Sequence, residues 1–246
     1  MKVVVLGSSS KGNSTFVEIN GIKFLIDVGF SFKYISDKLI EINEEVKNLD
    51  FIIITHAHSD HINSLYTFYR LNIPIYIGID TYKEVKIKDK VKDVIFVDEL
   101  DNIMGIKIDK IPISHDAVGY GYTFEYLDDS LCYIADTGLI YTKFLDKMRN
   151  KKIYLMESNH DVEMEMNGSK DFQTKLRNIG DTGHLSNEDC AKYLNMIIGN
   201  NTKKIVLIHI SEHDNTYEKA YETNRKAIDN RIDIKTAYAN EITIVN

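Results

Sequence analysis

The stretch IIITHAHSDHINSL, Ile52–Leu65, joins an apolar run to a cluster of three histidines and one aspartate. The run Phe51–Thr55 has the composition of a buried strand, and the polar residues begin where it ends. Loops at the carboxyl ends of such strands carry the chemistry of α/β folds. Imidazole nitrogens and carboxylate oxygens suit Zn²⁺, and also Mn²⁺ or Fe²⁺. The H-x-H-x-D-H spacing therefore predicts a metal-binding loop made of His56, His58, Asp60 and His61.

Further polar residues follow other predicted strands. His115 comes after IDKIPIS, Asp136 after LCYIA and His209 after KKIVLI. A single histidine at a strand end is more often structural, but the repeated placement predicts that these residues complete a metal centre. Asp27, after IKFLI, has the same placement and is predicted to orient a ligand histidine. The alternative for Asp27 is an ordinary turn aspartate before Gly29.

Composition limits the class of protein. The chain has 246 residues, of which 43% are hydrophobic, which is enough for a large core. Its formal net charge is −7, so a polyanion would have to be bound by a local patch or by metal ions. Neither Cys132 nor Cys190 belongs to a C-x-x-C motif, and reduced cysteines suit the cytosol.

The first residues, MKVVVLGSSSKG, predict a β-strand, because the apolar run is too short for a signal peptide. No apolar stretch approaches the length of a membrane span. We therefore expect a cytoplasmic protein without a membrane partner. The sequence leaves its oligomeric state open.

Short β-branched runs alternate with helical patterns along the chain, which favours sheets covered by helices. The predicted strands are Val3–Leu6, Phe16–Ile19, Lys23–Asp27, Phe51–Thr55, Ile75–Ile77, Val94–Val97, Ile106–Ile113, Gly121–Tyr126, Leu131–Ala135, Ile153–Met156 and Lys204–His209. The predicted helices are Ser31–Ile42, His61–Arg70, Ser186–Ile198 and Thr216–Ile228, with Ser186 as an N-cap.

The order of these residues resembles the metallo-β-lactamase superfamily over nearly the whole chain. The resemblance implies an αββα sandwich, an α/β fold of two mixed sheets flanked by helices, with two divalent metal ions, Zn²⁺ or Mn²⁺, at one edge. The implied ligands of the first ion are His56, His58 and His115. Those implied for the second ion are Asp60, His61 and His209. Asp136 would bridge the two ions.

Later segments resemble a smaller group within this superfamily. IYLMESNHD (Ile153–Asp161) and DTGHLSNEDC (Asp181–Cys190) are similar to motifs of β-CASP nucleases, but the large inserted β-CASP domain is missing. We therefore expect one metallo-β-lactamase-like domain over residues 1–246. GSSSKGNST, SHDA, ADTG and NNTKKIVLIHIS also resemble the YycJ/WalJ (VicX) group, which implies 5′→3′ DNA exonuclease activity and a role in genome maintenance. The segment Asn167–Gly180 departs from the more basic stretch associated with that group.

The predicted two-metal centre suggests which other residues take part in phosphodiester cleavage. His184 is the candidate to hold the scissile phosphate and assist the leaving group, and Glu157 would orient it. His160, on the same predicted loop as Glu157, is a further catalytic candidate, and so is Asp60 in addition to its role as a ligand. In LGSSSKGNSTF, the backbone with Ser8, Asn13 and Ser14 would cradle a phosphate. The alternative for this turn is a plain flexible hairpin loop.

Basic side chains are concentrated in two segments, 143–152 and 170–177, either of which could follow a phosphate backbone. His213 is expected at the surface. The predicted partner is DNA, single-stranded or with a free 5′ end. Three alternatives stay open: hydrolysis of a small thioester or cyclic phosphodiester, RNA processing, and a module without catalysis. The complete ligand set argues against the last of these.

Overall fold

Continuous apolar runs bury both faces of the central strands. In β1 (Lys2–Ser9), Val3 and Val5 lie in one apolar core, whereas Val4 and Leu6 lie in another. This division follows from the two-residue period of a strand, which sends neighbouring side chains to opposite faces. A strand that is apolar on both faces must be covered on both sides. The computed structural model, which describes residues 1–245, provides that cover with a second sheet and with helices.

Two seven-stranded sheets pack face to face. The other strands of the first sheet are β2 Gly12–Ile19, β3 Ile22–Ile26, β4 Phe51–Ile53, β5 Ile75–Ile77, β6 Ile95–Phe96 and β14 Thr243–Ile244. Those of the second sheet are β7 Asn102–Ile103, β8 Ile106–Pro112, β9 Tyr120–Tyr126, β10 Asp129–Ile134, β11 Ile153–Glu157, β12 Lys204–Ile208 and β13 Asp233–Thr236. The strand orders are β14-β1-β2-β3-β4-β5-β6 and β13-β12-β11-β10-β9-β8-β7.

The two sheets share one pairing pattern. In the first, three antiparallel pairs from β14 to β3 are followed by three parallel pairs from β3 to β6. In the second, three antiparallel pairs from β7 to β10 are followed by three parallel pairs from β10 to β13. The strands where the pairing changes, β3 and β10, are followed by Asp27 and Asp136. Parallel strands end at the same edge, so the residues that follow them are brought together.

Helices cover the outer faces of both sheets. They are α1 Phe32–Glu41, α2 Ser59–Ile62, α3 Leu65–Arg70, α4 Ile79–Glu84, α5 Leu145–Met148, α6 Val162–Asn167, α7 Phe172–Ile179, α8 Asn187–Ile197 and α9 Tyr217–Ala227. Short 3₁₀ helices occupy Val46–Asn48, Lys88–Lys90 and Thr142–Phe144. Buried residues of α1 and α3 pack on the first sheet, and those of α5, α8 and α9 pack on the second. The predicted αββα sandwich is confirmed.

Helix boundaries agree with the sequence where a cap is present. The hydroxyl of Ser186 accepts a hydrogen bond from the Asp189 N–H, so the predicted N-cap of α8 is confirmed. The predicted helix His61–Arg70 is wrong as one element, because the chain breaks between α2 and α3. At the break, Ser64 N donates to the Val28 carbonyl over 3.0 Å instead of continuing the first helix.

Other segments differ from the prediction. The glycine- and serine-rich segment is a tight hairpin rather than a long turn, since β1 extends to Ser9 and β2 begins at Gly12. The helices α4 to α7 and the strands β7, β13 and β14 were not predicted. Among residues 1–245, no helix has both the length and the apolar composition needed to cross a membrane.

Candidate metal centre

Side chains from several strand ends meet at one edge of the sandwich. Ligand atoms of His, Asp and Glu residues lie within 4.8 Å of one another in four overlapping groups. One group is His56, His58 and His115, and another is Asp60, His61 and His209. Asp136 belongs to both remaining groups. One of them also contains His56 and His61, and the other also contains Glu157, His184 and His209. All seven sequence-predicted ligands are therefore brought together, and Asp136 lies among the others.

The first group is oriented by contacts behind the rings. Nδ1 of His115 lies 3.1 Å from the Gly183 carbonyl, which can only accept, so Nδ1 carries the proton and Nε2 is free to bind a metal. Nδ1 of His56 lies 3.1 Å from the Thr55 hydroxyl. Nε2 of His56 is buried without a hydrogen-bond partner. A buried, unpartnered imidazole nitrogen is costly in a folded protein, and a divalent cation would satisfy it.

The second group is held mainly by Asp27. Its carboxylate accepts hydrogen bonds from the Thr55 N–H over 2.8 Å, from the Thr55 hydroxyl over 2.8 Å and from Nδ1 of His61 over 2.7 Å. This leaves Nε2 of His61 beside the carboxylates, 3.0 Å from Asp136 Oδ2 and 3.4 Å from Asp60 Oδ2. Nε2 of His209 is buried and unpartnered. The donor set of both groups fits divalent metal ions.

The charges in this centre are arranged for cations. Burial alone would lower the pKa of His61, but Asp27 and Asp136 outweigh it and raise the pKa well above its ordinary value. Burial would likewise lower the pKa of His209, yet Asp136, Asp60 and Glu157 raise it to about 10. Burial would raise the pKa of Asp136, but His209 and His61 hold it well below its ordinary value. The raised pKa values of His61 and His209 show that the surrounding carboxylates favour positive charge at this position, which is the charge that metal ions would supply.

Three of these residues have an unusual backbone. Asp27, Asp136 and His209 adopt positive φ values of 61°, 52° and 54°. A left-handed conformation costs a residue with a Cβ roughly 1–2 kcal/mol, although Asp and His tolerate it better than most. Each of the three follows a strand of the sandwich. The sharp change of direction after the strand is what places each side chain in the centre, and such strain is common at functional sites.

The predicted catalytic residues lie at different depths. Oε1 of Glu157 lies 2.7 Å from Nδ1 of His184 and 2.9 Å from Nδ1 of His209. The His184 side chain is 18% exposed, so it can meet a substrate, whereas Glu157 is fully buried. His160 is 1% exposed and belongs to none of the four groups. Both nitrogens of its ring are buried without a hydrogen-bond partner, and the catalytic role of His160 stays a prediction.

The polar side chains of the β1–β2 hairpin make hydrogen bonds within the protein. The Ser8 hydroxyl donates to Asn13 Oδ1 over 2.8 Å and accepts from the His209 N–H over 2.9 Å. The Ser14 hydroxyl donates to the Asp27 carbonyl over 2.9 Å. Nδ2 of Asn13 lies 3.0 Å from Nε2 of His61. The three hairpin side chains among the predicted substrate-binding residues are buried and contact metal-site residues. A phosphate contact by the backbone of this turn stays a prediction.

One acidic residue at the rim, Asp116, was not identified from the sequence. Oδ1 of Asp116 lies 3.3 Å from Nε2 of His58 and 3.2 Å from Nε2 of His115. Its Oδ2 lies 3.6 Å from Nη1 of Arg177 on α7. The available signal was the position of Asp116 directly after a predicted ligand in SHDA.

A cavity of about 480 Å³ opens beside the centre. His58, Asp60 and Asp116 line one side of it, and Lys86 contributes an exposed basic side chain. The apolar part of the lining is Ala57, Ile62, Ile87 and Ala117. The second basic segment also lies near the centre through Arg177, whereas Lys151 and Lys152 precede β11 and lie at its opposite end. His213 is exposed, as predicted.

Comparison with known proteins agrees with this geometry. The sequence-family model for the β-lactamase superfamily domain matches residues 23–210 of this chain. The chain is 36% identical over 231 residues to exodeoxyribonuclease WalJ of Streptococcus pneumoniae serotype 2, covering 90% of this chain and 86% of that protein. It is 31% identical over 223 residues to exodeoxyribonuclease YycJ of Bacillus anthracis, covering 88% and 84% of the two chains.

A solved structure shows the same fold at low sequence identity. The metallo-β-lactamase fold protein YhfI from Bacillus subtilis superposes with a TM-score of 0.72 at 15% identity, covering 99% of this chain and 98% of that one. The likeness extends across both sheets. The chain belongs to the β-lactamase superfamily and, within it, to the family of the WalJ and YycJ proteins.

Proposed function

We propose that this protein is a two-metal-dependent DNA exonuclease that degrades DNA from its 5′ end. The observation that carries the proposal is the metal centre itself, in which seven ligand residues meet beside the Glu157–His184 pair. The names of the relatives, exodeoxyribonucleases WalJ and YycJ, support DNA as the substrate. We place the reaction in the cytoplasm and in DNA repair.

The ligand residues would hold the two ions in separate groups. His56, His58 and His115 would hold one, Asp60, His61 and His209 the other, and Asp136 would serve both. Divalent ions in such a centre lower the pKa of water and stabilise negative charge on a phosphate undergoing in-line displacement. The imidazole-rich set favours Zn²⁺ in affinity, and Mn²⁺ remains a candidate for the ion that supports turnover.

His184 is the residue that we assign to the substrate. Its Nδ1 is fixed by Glu157, and its ring stands between those of His115 and His209, with centroid separations of 5.1 Å and 5.3 Å. Burial would raise the pKa of Glu157, but His184 and His209 lower it to about 2, so the carboxylate is charged at neutral pH. A ring oriented by a buried carboxylate can contact a bound phosphate and transfer a proton to the leaving oxygen.

The surroundings favour a DNA end over the middle of a long duplex. The net charge of −7 opposes broad attachment to a polyanion, so binding depends on local contacts. The 480 Å³ cavity beside His58 and Asp60 is within the usual size of a small-ligand site. Its apolar lining suits a nucleobase or sugar, and Lys86 supplies a basic side chain in a lining that also contains Asp60, Glu84 and Asp116. A terminal nucleotide with a 5′-phosphate fits this chemistry.

A labelled linear oligonucleotide tests the proposal. We expect early loss of a 5′ label as mononucleotides or very short products, slower loss of a 3′ label, and no cleavage of a circular single strand of equal length. Activity should fall steeply between low and physiological salt because phosphate contacts are salt-sensitive. Rapid nicking of the circle would contradict an exonuclease. RNA of the same sequence, a cyclic dinucleotide and a thioester serve as parallel substrates, and preference for any of them would overturn DNA as the substrate.

A further inference from the structure

Asp116 is an exposed carboxylate placed against the metal centre. It is not one of the seven ligand residues, and its side chain is 43% exposed. The two imidazole nitrogens that it approaches, His58 Nε2 at 3.3 Å and His115 Nε2 at 3.2 Å, belong to the first ligand group. A single oxygen, Oδ1, makes both contacts. Asp116 Oδ1 therefore lies beside two of the three donor nitrogens of this group.

We propose that Asp116 is an additional ligand of the metal ion held by His56, His58 and His115. The ring of His115 is held in this position through the Gly183 carbonyl, so its Nε2 stays beside Asp116 Oδ1 when an ion binds. An oxygen beside both Nε2 atoms is within reach of the same ion. The assignment concerns the metal centre alone, so it does not depend on which substrate the enzyme cleaves.

An extra carboxylate changes which ion the first group prefers. Three imidazoles with a shared carboxylate make a site typical of Zn²⁺, which is satisfied by about four ligands. A further anionic oxygen raises the ligand number and adds a hard donor, and carboxylates suit Mn²⁺ better than imidazoles do. Asp116 should therefore strengthen Mn²⁺ binding more than Zn²⁺ binding.

Arg177 is the positioning residue in this arrangement. Its Nη1 lies 3.6 Å from Asp116 Oδ2, on the side of the carboxylate away from the imidazoles. Arg177 is held on α7, whose last turn leads to the Gly183–His184 loop: the His184 N–H donates to the Asn178 carbonyl over 2.9 Å. The same short helix thus contacts both the carboxylate of the first ion and the loop that carries His184.

Metal titration of purified variants tests the proposal. Asp116→Asn and Asp116→Ala should bind Mn²⁺ roughly 10–100-fold more weakly than the wild type, since loss of even an indirect ligand contact has an effect of that size. Zn²⁺ affinity should fall less. The visible absorption of Co²⁺-loaded Asp116→Ala should change in intensity, because it reports the number of ligands. Arg177→Gln should show a smaller loss of Mn²⁺ affinity, which Arg177→Lys partly restores.

Asp128→Asn is the matched control. Asp128 is an exposed aspartate on the turn between β9 and β10, at the end of β10 opposite to Asp136, so its variant should bind both metals as the wild type does. Circular dichroism and melting of the metal-free proteins establish that each variant is folded. Unchanged Mn²⁺ affinity and an unchanged Co²⁺ spectrum in folded Asp116→Ala would overturn the proposal, whether or not the enzyme proves to be a DNA exonuclease.

Discussion

Asp27 is fully buried, yet it determines the position of two parts of the metal loop. One carboxylate oxygen accepts from the Thr55 N–H, directly before His56, and the other accepts from His61 Nδ1. A single side chain therefore fixes both the start of the loop and the ring orientation of a ligand. This geometry agrees with the predicted orienting role, and it requires the left-handed backbone at Asp27.

Metal binding should release protons from this centre. In the metal-free protein the pKa of His209 is raised to about 10 and that of His61 also lies well above its ordinary value, so both rings are protonated at neutral pH. A metal ion needs the neutral imidazole, so it must displace these protons. Apparent affinity should rise with pH, and calorimetric enthalpies should vary with the ionisation enthalpy of the buffer. Equal enthalpies in all buffers would contradict the protonated state.

His184 provides a way to separate chemistry from metal binding. His184→Ala should retain both ions and a normal fold, because the two proposed ligand sets, His56, His58 and His115, and Asp60, His61 and His209, are complete without the His184 ring. Its rate on DNA should fall about 10²–10⁴-fold if the ring transfers a proton or orients the phosphate. Metal content by elemental analysis and single-turnover rates on a 5′-phosphorylated oligonucleotide measure the two effects. A variant with the wild-type rate would remove His184 from the catalytic residues.

The ligand positions could be predicted from the sequence because one rule covers them. Each follows an apolar strand or lies in the loop after one, and the strand ends share an edge of the sandwich. Asp116 and Thr55 escaped the rule. A carboxylate next to a ligand is indistinguishable in sequence from a solvated one, and Thr55 was assigned to a strand. The contacts of both depend on loop geometry that no periodicity records.

At the scale of elements, the loop between β3 and α1 packs directly beneath the metal loop. The Val28 N–H donates to the His61 carbonyl over 2.8 Å, and the Gly29 N–H donates to the Asn13 carbonyl over 2.9 Å. Gly29 also lies against the Asp60 carbonyl so closely that a Cβ at this position would come within 1.6 Å of the oxygen. The backbone at Gly29 therefore cannot move toward the metal loop without displacing Asp60.

Gly29→Ala should therefore weaken metal binding without removing a ligand. Overpacking of this kind costs about 1–3 kcal/mol in the free energy of unfolding, and here relaxation displaces Asp60. Gly21→Ala is the control, because Gly21 has a φ of +79° but no atom within 4 Å of the added Cβ. It should lose stability through backbone strain alone and keep wild-type metal affinity. Urea unfolding and metal titration of both variants measure the difference, and equal metal affinities would refute the packing argument.

Short elements were the part of the fold that the sequence did not reveal. The helices α1, α8 and α9 have ten or eleven residues and hydroxyl N-caps, and all three were predicted near their observed bounds. The helices α4, α5 and α6 have four to six residues, too few for a periodic pattern to emerge. The eight-residue α7 is exposed on much of its surface, including Phe172 and Leu176, so its apolar residues gave no core-facing signal.

For the molecule as a whole, a charge cluster links the first sheet to the turn after α1. Glu44 is 6% exposed and accepts hydrogen bonds from Lys2 over 3.0 Å and from Lys23 over 2.7 Å. Burial alone would raise the pKa of Glu44, but the two ammonium groups lower it below its ordinary value. A lowered pKa means that Glu44 stabilises the fold above the ordinary glutamate pKa, and that this contribution is lost as the pH falls through the folded-state pKa.

Glu44→Gln should accordingly destabilise the protein at neutral pH, by up to about 1 kcal/mol for a partly exposed cluster. The difference from the wild type should shrink as the pH falls below the ordinary glutamate pKa and through the lowered pKa of Glu44. Glu41→Gln is the matched control, since Glu41 pairs with Lys38 but is 52% exposed. Urea denaturation at several pH values measures both. A Glu44→Gln difference that stays constant from neutral to acid pH would show that the charge is not responsible.

The two sheets repeat one pairing pattern, and Asp27 and Asp136 follow its equivalent strands with the same left-handed backbone. The two halves of the sandwich therefore place an aspartate after equivalent strands. Asp27 hydrogen-bonds the imidazole of His61, whereas Asp136 lies among the candidate metal ligands. Because the candidate ligands come from both sheets, the spacing between them depends on how one sheet packs against the other.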